Sequence, residues 1–151
     1  MSIFTVEIGV KMNKPPLVIA DADAIVAQAS PNDNLHAQAV KIVLRLEQLN
    51  AQVLYPSTAI CEATTHIQRV LSNGATAYGT AIAFTNPNIG VVEVNQETLK
   101  HAAQFFSPTT SKKNTLYDCI IAAVAEEHNA DAIFSFDGFY KKNGFKLASE
   151  L

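Results

Sequence analysis

The chain has 151 residues, enough for one domain with a buried core; 48% of them are hydrophobic and 17% are charged. This composition is typical of a globular protein rather than a disordered one. The formal net charge is −3 and only two residues are arginines, which argues against broad electrostatic capture of nucleic acid. It does not exclude a nuclease whose own site is acidic and recruits metal cations.

No apolar run approaches the roughly 18 residues that a membrane-spanning helix needs, and the N-terminus lacks the pattern of a signal peptide. Cys61 and Cys119 are too few and too far apart for a zinc pattern or a disulfide framework. We therefore expect reduced, buried thiols and a cytoplasmic protein without membrane contact.

The first predicted elements lie before residue 26. Residues 3–10 alternate between two sets of side chains, a weak strand pattern, and residues 11–16 then break the chain. Residues 1–14 are therefore predicted to be an arm, either an edge strand or a tail, and residues 15–151 to be one domain. Over residues 17–21 an apolar run ends in Asp21, which predicts a buried strand.

Helices and strands then alternate along the chain. The spacing of apolar residues and the capping signals predict helices over 35–50, 57–73, 75–84, 97–106 and 115–128. Strands are predicted over 52–55, 90–94 and 132–136, with a possible fifth over 145–147. This alternation indicates an α/β fold whose parallel sheet is covered by helices on both faces.

Four acidic residues lie at positions near the edge of the predicted sheet where parallel α/β sheets bind ligands. Asp21 and Asp137 each follow a buried strand, whereas Glu62 and Asp118 lie near the starts of predicted helices. All four can converge at one edge of a parallel sheet. Like charges so close would repel unless a cation lay between them, and carboxylate oxygens suit Mg²⁺ or Mn²⁺. Two such ions about 4 Å apart can activate water and stabilise the leaving oxygen of a phosphodiester.

Each acid also has a simpler structural interpretation. Asp21 and Asp137 can be N-caps of the helices that follow them, and Asp118 has the spacing of a capping box with Thr115. Glu62 can form a surface i, i+4 pair with its helical neighbour, His66. A cap and a metal ligand need not exclude each other, because a carboxylate in the first turn is held in one place by the helix dipole.

The order and spacing of these motifs resemble a PIN-domain ribonuclease of the kind found as the toxin in bacterial toxin–antitoxin pairs. The resemblance spans about residues 17–148 and is carried by four stretches in order: LVIADADAI at 17–25, YPSTAICE at 55–62, LYDCIIAA at 116–123 and IFSFDGF at 133–139. It implies a three-layer α/β/α fold with a central, mostly parallel sheet. It also implies hydrolysis of RNA with Mg²⁺ or Mn²⁺.

The resemblance implies roles for particular residues. It makes Asp21, Glu62, Asp118 and Asp137 the catalytic and metal-holding acids, and Ser135 stands where the family often has a small hydroxyl residue. The family usually has Asn, Ser or Thr where this chain has Asp23. This extra acid can bind metal more tightly, join the site as a fifth ligand, or only cap the helix after it.

Several basic residues near these acids are candidates for contacts with RNA phosphates. The alternative is that they are solvated surface side chains. The candidates are Arg69, Lys112, Lys113, Lys141 and Lys142.

Two other functions compete with the ribonuclease. Asp21-Ala22-Asp23 resembles the nucleophile motif of haloacid-dehalogenase-like phosphatases, but Ile25 stands where that family needs Thr or Val, and Asp137 lacks an acidic neighbour. The other alternative is a PIN-like module that binds RNA or protein without cutting. 

The resemblance also implies a homodimer and a co-encoded antitoxin protein. Apolar residues in 75–91 hint at a contact surface or a core: Ala77, Tyr78, Ala81, Ile82, Phe84 and Ile89.

Overall fold

A computed structural model of the protein describes residues 14–151. Within this range four strands form one sheet in the order β3-β2-β1-β4, and every neighbouring pair is parallel. The predicted α/β fold with a central parallel sheet is therefore confirmed. The strands are β1 (Leu17–Ala20), β2 (Gln52–Pro56), β3 (Gly90–Val92) and β4 (Ala132–Phe134).

Helices connect the strands and cover both faces of the sheet. No helix within residues 14–151 is long and apolar enough to cross a membrane. The helices are α1 (Ala22–Ala29), α2 (His36–Gln48), α3 (Ser57–Arg69), α4 (Gly74–Ala83), α5 (Gln96–Ala102), α6 (Leu116–Glu127) and α7 (Phe139–Lys142), with 3₁₀ turns at Ala103–Phe105 and Ala148–Glu150.

Two of the predicted features lie near the ends of the chain. The predicted arm over residues 1–14 lies outside the described residues, apart from Lys14. The segment 145–147 lies beside β4 but forms only one parallel bridge, between Ile133 and Leu147, rather than a fifth strand. 

The core is built on the alternation of side chains along β1. Ile19 faces one side of the sheet and packs in a cluster with residues of α3 and α6. Val18 and Ala20 face the other side, where α2 covers them. The α2 contacts come from residues spaced by three or four, as expected for one face of a helix: Ala39, Ile42 and Leu46. Helices on both faces give the three layers that the sequence predicts.

The order of the strands fixes where a ligand can bind. The chain runs outward from β1 through β2 to β3 and then crosses back to place β4 on the other side of β1. The carboxyl ends of β1 and β4 therefore flank a topological switch point, where open α/β sheets have a binding crevice. The backbone pairing continues past β1, because the amide of Asp21 donates to the carbonyl oxygen of Phe134 at 3.0 Å.

Replacing Ile19 by alanine tests the importance of the central strand. Ile19 is fully buried, so Ile19→Ala is expected to lower the free energy of unfolding by about 2–5 kcal/mol. Urea unfolding measures this, with Val40→Ala as the control because Val40 is 40% exposed on α2. Equal, small losses in both variants would contradict the packing described for β1.

Candidate active site

Asp21 lies at the centre of the candidate site. It directly follows β1, is only 4% exposed, and its Oδ1 accepts a hydrogen bond from the amide of Ala22 at 2.7 Å, which caps α1. Its Oδ2 accepts from the hydroxyl of Tyr140 at 2.7 Å and from that of Ser135 at 3.1 Å. Burial, together with the nearby charge of Asp23, raises the pKa of Asp21 well above its usual value, while the Tyr140 hydrogen bond lowers it.

Asp23 belongs to the same site and is not the cap of α1. Its Oδ2 accepts from the amide of Phe136 at 2.8 Å and from the hydroxyl of Ser135 at 3.0 Å. These two bonds tie the first turn of α1 to the segment after β4. Its Oδ1 is buried without a hydrogen-bond partner among the described residues. Burial raises the pKa of Asp23 to about 6.

Asp118 is held at the first turn of α6. Its Oδ2 accepts from the amide of Thr115 at 2.9 Å, so the capping-box interpretation is confirmed. Its Oδ1 lies 3.4 Å from the Tyr140 hydroxyl, the group that also contacts Asp21. Burial raises the pKa of Asp118, and the neighbouring charge of Asp137 raises it further.

Asp137 completes the group after β4. Its Oδ1 accepts from the amide of Phe139 at 2.9 Å, which closes the turn before α7. Its Oδ2 accepts from the side-chain amide of Asn114 at 2.9 Å, and the same nitrogen lies 3.5 Å from Asp118. The backbone amide of Asp137 donates to the oxygen of Ser135 at 3.1 Å. A closed chain of hydrogen bonds therefore connects the predicted aspartates.

Glu62 reaches the group from α3. It lines a cavity of about 240 Å³ together with Asp23, Asp33 and His66. Burial raises the pKa of Glu62 to about 7, and the charges of Asp118 and Asp23 add to this shift. The predicted pair of Glu62 and His66 therefore lines a cavity shared with Asp23 rather than facing only solvent.

The predicted basic residues are distributed unevenly around the acids. Lys113 and Lys142 line a cavity of about 630 Å³ next to Asp23 and Asp137. Lys112 lines a different cavity, formed by residues 106–116.

Two predicted RNA contacts lie apart from these cavities. Lys141 forms an ion pair with Glu150 at 2.6 Å. Arg69 is exposed at the end of α3, and the residues lining the two acidic cavities do not include it.

Sequence reasoning missed Tyr140 and Asn114. Tyr140 is fully buried and its hydroxyl bridges Asp21 and Asp118, while Asn114 bridges Asp118 and Asp137. A tyrosine three residues after a strand-end acid is a weak signal, because aromatic residues at that spacing usually pack in a core.

One of the two cysteines differs from the expectation that both are buried. Cys119 is buried as predicted, but Cys61 is exposed, and both are free thiols. The prediction of a buried Cys61 was wrong because α3 presents Ala63, rather than Cys61, to the core.

Comparison with known families now identifies the class of the protein. Residues 18–146 match the family model described as the PIN domain, and the chain belongs to that family. No curated protein sequence matches the chain.

Solved structures show the same fold. The structure of VapC20 from Mycobacterium tuberculosis, described as a sarcin–ricin loop cleaving toxin, matches with a TM-score of 0.72 and 18% identity, covering 85% of this chain and 95% of that one. FitAcB from Neisseria gonorrhoeae matches with a TM-score of 0.60 and 17% identity, covering 89% and 99%. At such identities the likeness shows the fold alone.

The raised pKa values predict how stability depends on pH without divalent cations. In the folded protein the pKa of Asp23 is about 6 and that of Glu62 is about 7. In the unfolded chain the two pKa values are near 3.8 and 4.5. The folded state thus binds more protons over this window, so stability falls as pH rises from about 4 to 7. The thermal midpoint in EDTA should decrease across this range.

Glu62→Gln removes one of these groups and should make the decline shallower. Glu47→Gln is the matched control, since Glu47 is exposed on α2 and the same chemical change there should leave the slope intact. A midpoint that rises steadily from pH 4 to 7 in EDTA would contradict the assigned shifts.

Proposed function

We propose that the protein is a metal-dependent ribonuclease that hydrolyses RNA phosphodiester bonds and acts as the toxin of a toxin–antitoxin pair. We assign this activity to residues 15–151. The observation that carries the proposal is the convergence of acids at the switch point: Asp21, Asp118 and Asp137 are joined through Tyr140 and Asn114.

The acids fit Mg²⁺ or Mn²⁺ by their chemistry. Among residues 14–151 no three His, Cys, Asp or Glu side chains are arranged as they stand to hold one ion. Mg²⁺ is usually bound through only one or two carboxylates and keeps several waters, so it does not need such a group. The buried Oδ1 of Asp23, which has no partner among the described residues, is a free oxygen ligand. The acids that would hold the metal, some directly and the others through its waters, are Asp21, Glu62, Asp118 and Asp137, with Asp23 as the fifth.

The chain's own residues then have distinct tasks in the reaction. A bound divalent cation would supply the positive charge that activates water and stabilises the leaving oxygen. Tyr140, Asn114 and Ser135 hold the carboxylates in fixed positions, which avoids reorganisation during the reaction. One of these carboxylates would accept the proton of the water as its oxygen bonds to phosphorus and the P–O bond to the leaving oxygen breaks; Glu62, which lines a cavity beside Asp23, is the candidate.

Family membership favours this function over its rivals. The PIN-domain match favours a PIN nuclease over the haloacid-dehalogenase-like phosphatase. VapC20 is described as a toxin that cleaves the sarcin–ricin loop, which supports RNA as the substrate class. The presence of all four predicted acids, together with Asp23, favours a cutting enzyme over a PIN-like module that only binds.

We also propose a homodimer, an antitoxin partner and a cytoplasmic location. The dimer is supported by exposed apolar side chains on α4, where Tyr78 is 71% and Ile82 50% exposed, and by Val91 on the edge strand β3, which is 44% exposed. Ala77 and Phe84 of the predicted patch pack inward instead. The antitoxin is supported by the same toxin-like resemblance, and the location by the two free thiols.

Asp118→Asn tests the proposed chemistry. The amide can still accept the capping bond from Thr115, so the thermal midpoint should stay within a few degrees of the wild-type value. Loss of the charge should lower RNA cleavage by about 100-fold or more, because losing an outer-shell partner of a metal already costs up to about 100-fold and Asp118 is proposed to hold the metal itself. Gel analysis of a labelled RNA incubated with Mg²⁺ or Mn²⁺ measures this, and EDTA should abolish cleavage.

Asp131→Asn is the matched control for this experiment. Asp131 is exposed at the opposite edge of the sheet, where its carboxylate accepts from the amide of Leu17 at 2.7 Å, and an amide can keep that bond. Cleavage should therefore be normal in this variant. Undiminished cleavage by Asp118→Asn would contradict the proposed mechanism. RNA binding without any cleavage by the wild-type protein would favour the non-catalytic module.

Ile82→Glu tests the proposed dimer. A charge at Ile82, on the exposed face of α4, should disrupt a dimer without disturbing the fold, because Ile82 is half exposed. Light scattering at low micromolar concentration should give twice 16.3 kDa for the wild-type protein and 16.3 kDa for the variant. Glu97→Gln, an exposed change on α5, should leave the dimer intact. A wild-type monomer would exclude this proposal.

A further inference from the structure

We propose that a cavity beside the acids binds one nucleobase of single-stranded RNA by stacking, together with its phosphate. This inference rests on the proposed ribonuclease function and adds a subsite to it. We call this pocket the lysine–phenylalanine cavity; its defining residues are Asp23, Lys113, Phe136, Asp137, Phe139 and Lys142.

The position of the cavity makes it part of the substrate path. Its volume is about 630 Å³, within the range of roughly 300–1,000 Å³ typical of small-molecule sites. Asp23 and Asp137 form part of its wall, so an occupant lies next to the acids. The smaller cavity that contains Glu62 shares Asp23 and Leu35 with it. The two cavities therefore adjoin at the acidic site, and we call them together the groove.

Charge makes this side of the groove suitable for a phosphate. Lys113 and Lys142 are exposed and line the cavity, and within residues 14–151 neither forms an ion pair. Their neighbour Lys141 differs, because Glu150 neutralises it. The whole chain carries a net charge of −3, so these two ammonium groups are a local positive site rather than part of a basic surface. They favour a phosphate next to the acids.

Two aromatic rings supply the surface for a base. Phe136 and Phe139 line the cavity and are only half-buried. Each ring is fixed by a T-shaped contact with a buried neighbour, Phe134 at 6.1 Å and Tyr140 at 5.4 Å between ring centroids. Rings that are already ordered lose little entropy when a base stacks on them.

The combination of stacking and point charges defines the substrate class. Every base has a π-face, so stacking on phenylalanine tolerates any sequence at this position. A base inside a duplex is already stacked between its neighbours, so it must be unpaired to enter the cavity. The subsite therefore selects RNA with an exposed, unstacked base close to the bond that is cut.

The first experiment measures cleavage of a single-stranded oligoribonucleotide series in which one abasic residue is moved along the chain. In the wild-type protein, an abasic residue at one position near the cut should lower kcat/KM by about 5- to 100-fold, mostly through KM, as expected for one lost stacking contact. Phe139→Leu keeps the apolar volume but removes the π-face. It should lower kcat/KM for the intact RNA by a similar factor and should abolish the effect of the abasic residue. Phe136→Leu is tested in parallel, and at least one of the two variants must show this coupling.

The second experiment measures binding of a fluorescent single-stranded RNA by anisotropy in the cleavage-impaired Asp118→Asn background. Because the cavity is proposed to hold one phosphate, replacing both lysines, Lys113→Gln together with Lys142→Gln, should reduce the slope of log affinity against log salt by about 0.7. Lys100→Gln is the matched control, because Lys100 is exposed beside His101, which contacts Glu126 at the end of α6 farthest from Asp118. It should leave the slope unchanged, and a duplex of the same sequence should bind at least tenfold more weakly.

The outcomes separate this inference from the proposed function. Cleavage of RNA with no position-specific abasic effect, or with the same abasic effect in both phenylalanine variants, would overturn the subsite while leaving the ribonuclease intact. A salt slope unchanged by Lys113→Gln together with Lys142→Gln would overturn its phosphate contact. If the wild-type protein cuts no RNA, the abasic series is scored by anisotropy instead. A position-specific loss of affinity that Phe139→Leu or Phe136→Leu removes would then support the subsite, although the proposed reaction would be wrong.

Discussion

The structure depends on a carboxylate buried at the end of its central strand. Asp21 is 4% exposed and accepts hydrogen bonds from Ala22, Ser135 and Tyr140. A charge in such a place is unfavourable unless it is paired or hydrogen-bonded. The two hydroxyl donors come from the far end of the chain, and they reach Asp21 only because β4 pairs with β1. The crossover that places β4 beside β1 therefore assembles the site. It also brings the two hydroxyl groups whose hydrogen bonds stabilise the carboxylate of Asp21.

The donors in the site are fewer than its acceptors. Ser135 has one hydroxyl proton but lies within 3.1 Å of both Asp21 and Asp23, and Tyr140 likewise has one proton for Asp21 and Asp118. Tyr140 cannot donate to both carboxylates at once, so when it donates to Asp21 the Oδ1 of Asp118 has no donor among the described residues, and Oδ1 of Asp23 has none there in either case. Protons or cations must supply the missing positive charge. The raised pKa values mean that protons bind to the acids when no cation is present. The proposed metal ion would instead supply positive charge and leave the acids ionised.

The sequence predicted what local patterns determine. The pattern of a buried strand that ends in an acid identified Asp21 and Asp137 as candidate site residues. Capping signals placed Asp118 in the first turn of α6. The sheet and its layers followed from the alternation of elements. The bridging roles of Tyr140 and Asn114 could not be predicted, because they depend on which side chains from distant segments meet across the switch point. The exposure of Cys61 and the single bridge at Leu147 depend on tertiary packing in the same way.

Capping and the proposed metal binding do not compete for the aspartates of this site. Asp21, Asp118 and Asp137 each use one oxygen to accept a backbone amide at a helix start or a turn, which leaves the other oxygen directed toward the group. A capped carboxylate has lost its rotational freedom before any ligand arrives, so it does not lose that entropy on binding. The caps also keep the like-charged carboxylates at fixed separations. Without the caps, the side chains would rotate away from each other to reduce their repulsion. The local structural role is thus the means by which the fold keeps a repulsive group of acids ordered.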